Sequence, residues 1–226
     1  MKITYLGHSC LYIDTGSFKL LADPFITGNE KASGKVDIAQ LQPDYILLTH
    51  AHQDHTLDVD VIARRTAAII ISNFEIASHY EDKGHKAHPM NHGGSREFPF
   101  GTLKYVQAIH SSSFADGSYG GQPGGFVLTV SGLSVYIAGD TALTMDMKLI
   151  PLQYQLSLAV LPLGDNFTMG IEDAVLAADF VSCDRVLGYH YDTFGYIEID
   201  HDQAREAFSK AGKKLYLPGI GESVEV

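Results

Sequence analysis

Six consecutive residues, His50-Ala51-His52-Gln53-Asp54-His55, contain four side chains that can bind a metal ion. They follow directly on an apolar run, which predicts a β-strand that ends at the first histidine. On extended backbone His50 and His52 project to the same side, and Asp54 and His55 lie beyond the strand and can turn toward a second point. Neutral imidazole binds zinc, iron and manganese, and a carboxylate adds a hard oxygen ligand. The spacing therefore predicts two adjacent metal centres, because a solvated polar turn would not need so tight a cluster.

Three further residues that can bind metal each follow directly on an apolar, strand-like run: His110, Asp140 and His190. A single histidine at the end of a strand is as often a residue that only forms hydrogen bonds as it is a metal ligand. Four strands that all end in such residues are much harder to explain in that way. If these ends meet at one edge of a sheet, the ligand set is five histidines and two aspartates, enough for two metals with positions left for water or substrate.

The composition is that of an ordinary folded protein. The 226 residues, of which 45% are hydrophobic and 19% charged, suit one domain over residues 1–226. A net charge of −11 argues against a nucleic-acid partner, and no apolar stretch approaches the roughly 20 residues of a membrane helix. Two distant cysteines and an N-terminus that resembles a strand, not a signal peptide, favour a cytoplasmic location. We therefore expect a small-molecule substrate, with homo-oligomerisation left open.

The elements that must position these residues fall into two similar halves. Each half has a meander or hairpin followed by strand–helix units, which favours an α/β fold with a four-layer αββα sandwich of two mixed β-sheets flanked by helices. The predicted strands are Lys2–Leu6, Ser9–Asp14, Lys19–Ala22, Asp44–Thr49, Ala67–Ser72, Leu103–Ile109, Phe126–Val130, Leu133–Ala138, Leu158–Leu163, Arg185–Tyr189 and Lys214–Leu217. The predicted helices are Val59–Arg65, a segment from a Ser72–Glu75 capping box to Lys83, Ile171–Val181, and a last helix capped by Asp200. Residues 85–100 and 111–125 are predicted to be loops.

The signature His-x-His-x-Asp-His, with a later His, a Gly-Asp and a final His, resembles that of the metallo-β-lactamase superfamily. These motifs span residues 50 to 190, so the resemblance covers nearly the whole chain. It implies an αββα fold with the site at the sheet edge. The ligands it implies for metal one are His50, His52 and His110; those for metal two are Asp54, His55 and His190; and Asp140 would bridge both. It also implies that Asp23 supports the histidine loop from behind, although the Asp23-Pro24 pair equally suits a turn that ends a strand.

Within the superfamily the chain is most similar to small cytosolic metal-dependent hydrolases, relatives of the L-ascorbate-6-phosphate lactonases. The motifs that carry this similarity are Tyr5-Leu6-Gly7-His8-Ser9-Cys10, Ala22-Asp23-Pro24-Phe25, Asn166-Phe167-Thr168-Met169-Gly170 and Gly188-Tyr189-His190-Tyr191. Position 140 is Asp where some true β-lactamases have Cys, and no export signal is recognisable. Antibiotic hydrolysis is therefore not expected as the biological role.

These observations predict a hydrolase that uses two divalent metal ions and a bridging hydroxide to cleave an ester, lactone, amide or phosphodiester bond. Zinc is the first expectation, with manganese and iron as alternatives. Asp54 or Asp140 would orient the hydroxide or pass a proton to the leaving group. Two other functions stay open: an iron-dependent oxygenase of the same fold, and a non-enzymatic metal-binding interaction module. The complete ligand set argues against the second.

Candidate substrate contacts come from three places. His8 follows the first strand and is as compatible with the rim of the site as with a capped turn. Tyr119 and Gln122 lie in the loop after His110, a natural wall for substrate. The pair Asn166 and Thr168 precedes a helix start, where backbone N–H groups can hold an anion, although ordinary turn chemistry explains this segment as well.

Overall fold

The computed structural model describes residues 1–226, which form two seven-stranded sheets packed face to face with helices outside. The strands are β1 (Lys2–Gly7), β2 (Cys10–Asp14), β3 (Lys19–Ala22), β4 (Tyr45–Leu47), β5 (Ile69–Asn73), β6 (Ala87–Met90), β7 (Ser95–Phe98), β8 (Gly101–Gln107), β9 (Gly124–Val130), β10 (Leu133–Ile137), β11 (Leu156–Pro162), β12 (Arg185–Tyr189), β13 (Lys214–Tyr216) and β14 (Ser223–Glu225). The helices are α1 (Gln53–Thr56), α2 (Val59–Thr66), α3 (Phe74–Asp82), α4 (Ile171–Phe180) and α5 (His201–Lys210). Short 3-10 helices cover Glu30–Ala32, Ile38–Gln40, Met145–Leu152 and Gly195–Ile197.

Both sheets combine an antiparallel part with a parallel part. The first has the order β14-β1-β2-β3-β4-β5-β6, and its strands run parallel from β3 to β6. The second has the order β13-β12-β11-β10-β9-β8-β7 and is parallel from β10 to β13. Parallel neighbours end at the same edge of their sheet, so the segments that follow β3, β4, β10 and β12 come together. This confirms the predicted two-sheet fold.

Alternation of apolar side chains along the strands builds the layers. In β4, Tyr45 and Leu47 point into the core between the sheets, and Ile46 points to the outer face beneath α2 and α3. On the other side, α4 and α5 cover the second sheet through buried residues such as Ala177 and Phe208. Each large apolar side chain buried in this way contributes about 1.5–3 kcal/mol to folding. The four layers are therefore helices, sheet, sheet and helices, as predicted.

Two sequence expectations about local structure are wrong. Residues 85–100, expected to be a loop, contain the edge strands β6 and β7; their exposed polar residues and Pro89 hide the strand pattern. Helix α3 is not started by a Ser72–Glu75 capping box. Asn73 is the N-cap, with Oδ1 accepting from the Ile76 N–H at 2.8 Å, because the Ser72 hydroxyl donates to the Leu48 carbonyl instead.

Both cysteines are free and buried, as expected for small apolar core residues. Among the helices, none combines the length and apolar character needed to cross a membrane.

Candidate metal centre

The histidine-rich segment changes conformation where the sequence predicts. Strand β4 ends at Leu47, His52 is the N-cap of α1, and Asp54 and His55 lie on that short helix. His50 is buried with its Nε2 3.0 Å from Nδ1 of His52. One six-residue segment therefore carries two pairs of possible ligands, His50 with His52 before the helix and Asp54 with His55 on it.

Side chains from both sheets complete three groups in which the ligand atoms lie within 4.8 Å of one another. The groups are His50, His52 and His110; His8, Asp54, His55 and His190; and His50, His55 and Asp140. The structure thus brings all seven residues predicted as ligands to one place, and adds His8. Each of the first two groups combines residues that follow β4 with one histidine from the second sheet, His110 or His190.

Asp140 lies between these groups. Its Oδ2 is 2.8 Å from Nε2 of His190 and 3.4 Å from Nε2 of His55. The corresponding distances to Nε2 of His110 and His50 are 3.7 Å and 4.0 Å. A single carboxylate oxygen therefore faces histidines of both groups, which is the position a bridging ligand needs.

Asp23 is buried directly behind the cluster and fixes two of its rings. Its Oδ1 accepts from the Thr49 N–H at 2.9 Å, and its Oδ2 accepts from the Thr49 hydroxyl at 2.8 Å and from Nδ1 of His55 at 3.0 Å. Because the Thr49 hydroxyl donates to Asp23, it accepts from Nδ1 of His50, 3.0 Å away. In the neutral form of His50 and of His55, Nε2 then has its lone pair pointing into the cluster. A carboxylate that orients ligating histidines in this way is a common feature of metal sites.

His8 is wholly buried, so its ring presents no exposed surface to a substrate at the rim, and a role in substrate contact stays a prediction. Its Nε2 is 3.0 Å from Oδ2 of Asp54 and its Nδ1 is 2.9 Å from Oγ1 of Thr193. The rings of Phe25 and Phe194 pack edge-on against it. Burial lowers the pKa of His8 to about 4, so the imidazole is neutral near pH 7 and donates from Nε2 to the Asp54 carboxylate.

The protonation states suit metal binding. Burial lowers the pKa of His50, His52 and His110, which keeps their rings neutral and able to coordinate. Burial alone would raise the pKa of Asp140, but His190 and His55 outweigh it and hold that pKa well below its usual value. Asp140 is therefore an ionised carboxylate among buried imidazoles.

The donor set fits metal ions better than it fits a purely hydrogen-bonded cluster. Nε2 of His55 and Oδ1 of Asp140 are buried without any hydrogen-bond partner. Unsatisfied buried polar atoms are costly, about 1–3 kcal/mol each, and a coordinated cation removes that cost. Imidazole nitrogens with carboxylate oxygens suit zinc, manganese and iron.

Three residues of the site hold backbone conformations that side chains rarely adopt. The φ angles are +54° at His8, +45° at Asp23 and +54° at His190. The N–H of His190 donates to the carbonyl of His8 at 2.8 Å, which fastens the two turns to each other. Left-handed backbone outside glycine costs energy and is frequent at functional sites, where it aims a side chain.

The loop after His110 is ordered by two polar side chains. Asn73 Nδ2 donates to the carbonyls of Gly120 and Gln122 at 2.8 and 3.1 Å. The Ser112 hydroxyl donates to the Gly120 carbonyl and accepts from the N–H of Ala51, the neighbour of two predicted ligands. Tyr119 and Gln122 are exposed on this loop, which leaves them accessible to a ligand.

Asn166 and Thr168 do not join the cluster. Asn166 is exposed, and the only bond of the Thr168 hydroxyl is to the Met169 carbonyl at 3.4 Å. The adjoining cavity at the start of α4 has a volume of about 430 Å³. Carboxylates dominate its walls: Asp165, Glu172, Asp173, Glu198 and Asp200. Those charges disfavour an anion at this helix start, so the structure gives the predicted role of Asn166 and Thr168 no support.

Sequence reasoning missed Thr49 and Thr193, which bond to His50 and His8. Thr49 directly precedes the first histidine, but its hydroxyl orients the His50 ring only because Asp23, which follows another strand, accepts its hydrogen. No pattern in the sequence marks Thr193 as the partner of a residue 185 positions away.

Comparison with known proteins agrees with this geometry. Residues 2–190 match the model of the β-lactamase superfamily domain. The chain belongs to the β-lactamase superfamily. Members named UPF0173 metal-dependent hydrolase in Christiangramia forsetii and Flavobacterium johnsoniae are 63% and 60% identical over 226 residues, covering all of both chains. A metallo hydrolase from the hyperthermophilic archaeon Ignicoccus hospitalis has a solved structure with a TM-score of 0.90 at 33% identity, covering 99% of this chain and 97% of that one. The predicted resemblance is confirmed, and this member of the superfamily is a metal-dependent hydrolase.

Proposed function

We propose that the chain hydrolyses an ester, lactone or phosphodiester bond of a small molecule at a dinuclear metal centre. The observation that carries this proposal is the position of Asp140, whose Oδ2 faces histidines of both ligand groups at 2.8 to 4.0 Å. Metal one would be held by His50, His52 and His110, and metal two by Asp54, His55 and His190, with Asp140 shared. Two divalent ions so held would activate water as the nucleophile and polarise the bond under attack, and zinc suits this donor set best.

The chain's own residues supply orientation and proton transfer. Asp140 is buried and has one oxygen, Oδ1, without a partner, so it can accept a hydrogen bond from an attacking water. Asp54 is partly exposed, and the hydrogen bond from His8 to its Oδ2 holds the carboxylate in place. We assign to these two carboxylates the orientation of the nucleophile and the transfer of a proton to the leaving group.

Access for a substrate is supported by the exposure of the ligands. His52, Asp54 and His110 are partly exposed, whereas His50, His55, Asp140 and His190 are buried. Solvent and substrate therefore reach the cluster from the side on which the Ser111–Gly125 loop lies. A net charge of −11 makes a nucleic acid an unsuitable substrate and supports a small molecule.

The test is the metal content of the freshly purified protein, by element and per chain, together with hydrolysis of chromogenic esters, lactones and phosphodiesters. Two zinc or manganese ions per chain with hydrolysis support the proposal. Asp140→Ala and His52→Ala should each lose metal and hydrolysis together, whereas His92→Ala, which removes an imidazole outside the cluster, should retain both. One iron per chain with uptake of oxygen would instead identify an oxygenase, and full hydrolysis by metal-free protein would contradict the mechanism.

A further inference from the structure

A second cavity lies behind His8, on the side away from Asp54. Its volume is about 200 Å³, and its walls come from β1, residues 29–35, residues 191–193, α5 and residues 217–220. Thr193, which lines the cavity, bonds to Nδ1 of His8, while Asp54, which does not line it, bonds to Nε2. His8 therefore separates this cavity from the proposed metal centre.

Three polar side chains that are more than nine-tenths buried line the cavity and still have a hydrogen to donate. Tyr5, Tyr191 and Asn29 are 4%, 5% and 2% exposed. The oxygen of the Asn29 side-chain amide, Oδ1, accepts from the N–H of Lys31 at 3.0 Å. This fixes the orientation of the amide, and its NH₂ group has no acceptor within the protein. Neither tyrosine hydroxyl donates a hydrogen bond within the protein. Tyrosine hydroxyls are protonated near neutral pH, so both remain donors.

The charges around the cavity favour an anion. Lys31 and Lys35 line it, and neither ammonium group forms an ion pair with the protein. The one carboxylate in the wall, Asp192, is already engaged: Oδ1 accepts from the Ile199 N–H at 3.0 Å and Oδ2 lies 2.6 Å from Nε2 of His201. The groups left free are donors and cations, in a chain whose net charge is −11.

We propose that this cavity is a binding site for a phosphate-type oxyanion. The buried donors of Tyr5, Tyr191 and Asn29 would hold its oxygens, and the two lysines would neutralise its charge from the open side. A volume of about 200 Å³ is several times that of one water molecule, about 30 Å³ in the liquid, so it admits an oxyanion with one or two waters but not a large ligand. Because hydrolysis at the metal centre plays no part in this argument, the site can be tested separately.

The test is isothermal titration of the metal-loaded, full-length protein with inorganic phosphate. The double variant Lys31→Met/Lys35→Met should weaken binding about tenfold or more, and Tyr191→Phe, which removes only a hydroxyl, about threefold or more. The matched control Lys148→Met/Lys210→Met removes the same two charges from exposed positions outside the cavity and should leave the affinity within about twofold.

Two results would overturn the proposal: no measurable phosphate binding, or an affinity that neither cavity variant changes, since phosphate bound at the metal centre would be indifferent to them. Thermal melts of each variant check that the protein is folded. Titration with methyl phosphate then identifies the source of the oxyanion. Equal affinity for the ester supports a phosphoryl group carried by a small molecule, and binding of phosphate alone supports the free ion.

Discussion

His8 Nε2 lies 3.0 Å from Oδ2 of Asp54, although the two residues are 46 positions apart in the chain. The imidazole is neutral and buried, and its other nitrogen is fixed by the Thr193 hydroxyl. The same Oδ2 lies 4.0 Å from Nε2 of His55, so His8 holds the carboxylate against the second ligand group. Residues that orient a metal ligand are often nearly as important for affinity as the ligand itself.

Replacement of His8 should therefore weaken the binding of one metal ion more than the binding of the other. We expect His8→Phe to lower the affinity for the second metal about 10–100-fold while the first stays bound. His8→Gln can still donate to Asp54 and should restore part of the loss. Competition with a chromogenic chelator measures both affinities. Equal weakening of the two metals in His8→Phe would mean that the substitution acts through general destabilisation.

Asp23→Asn tests the control of the histidine rings. Loss of the charge weakens the bonds from Thr49 and His55, so Nε2 of His55 is no longer held as an acceptor. We expect metal affinity to fall about 10–100-fold. Asp58→Asn is the matched control, because Asp58 is also buried but binds the N–H groups of Ile26 and Thr27. It should lower stability and leave metal affinity unchanged; an equal effect of both variants on affinity would refute the assigned role.

The metal-free protein should lose stability in mild acid. His8 has an ordinary pKa of 6.5 that folding lowers to about 4, and burial also lowers the pKa of His50, His52 and His110. Below pH 6.5 the unfolded chain therefore takes up protons that the folded chain does not, and stability falls as the pH drops toward about 4. For His8 alone the loss is on the order of 3 kcal/mol.

The pKa of His55 is shifted in the opposite direction. Burial favours its neutral form, but the Asp140 and Asp23 carboxylates outweigh burial and raise its pKa. The stabilisation from His55 is fully present below pH 6.5, so it does not oppose the loss that the other four histidines cause below that pH. Thermal melts in chelator between pH 7.5 and 4 measure it, and a Tm that is constant or rises on acidification would contradict the assignment.

Removal of the metals should destabilise the protein. A ligand present at 1,000 times its Kd contributes about 4 kcal/mol, which corresponds to roughly 8–16 °C in Tm for a chain of this size. Calorimetry before and after treatment with chelator measures the shift, and addition of zinc should reverse it. An unchanged Tm at saturating zinc would show that the cluster does not bind the ion in the folded state.

Asn73 has two functions that substitutions can separate. Its Oδ1 caps α3 and its Nδ2 holds the loop after His110. Asn73→Ala should cost about 1–2 kcal/mol and loosen the loop, whereas Asn73→Asp keeps the cap and loses the donor. Hydrogen exchange at residues 112–122 should rise in both variants, and the cost of the lost cap should appear only in Asn73→Ala. Unchanged exchange in Asn73→Asp would mean that other contacts hold the loop.

The sequence predicts well what depends on local pattern. Strands such as Arg185–Tyr189 are apolar runs with clear ends, and their bounds agree with the structure. The ligand positions follow from the same logic, because a ligand at the end of a strand needs only the strand to be recognised. Edge strands such as Ser95–Phe98 are largely exposed, so they have no burial pattern to detect.

What the sequence does not predict is contact between distant segments. His8 looks like a rim residue because it follows a strand, yet Phe25 and Phe194 cover it completely. Asn166 precedes a helix whose N-terminus could attract an anion, but Glu198 and Asp200 from another segment reverse the local charge. At both places, burial and electrostatic potential are set by neighbours that only the tertiary structure brings close.

Two of the three ligand groups take members from the segment after β4 in the first sheet and one histidine from the second, His110 in one group and His190 in the other. A bound ion in either group is therefore a cross-link between the two sheets, closing chain segments that run from His52 to His110 and from His55 to His190. Such a cross-link acts like a disulfide, because it removes conformations from the unfolded chain as well as adding contacts to the folded one. The proposed reactive centre and the link between the two sheets would then be the same site, so loss of metal would lower stability at the boundary between the sheets, which the apolar core still holds together.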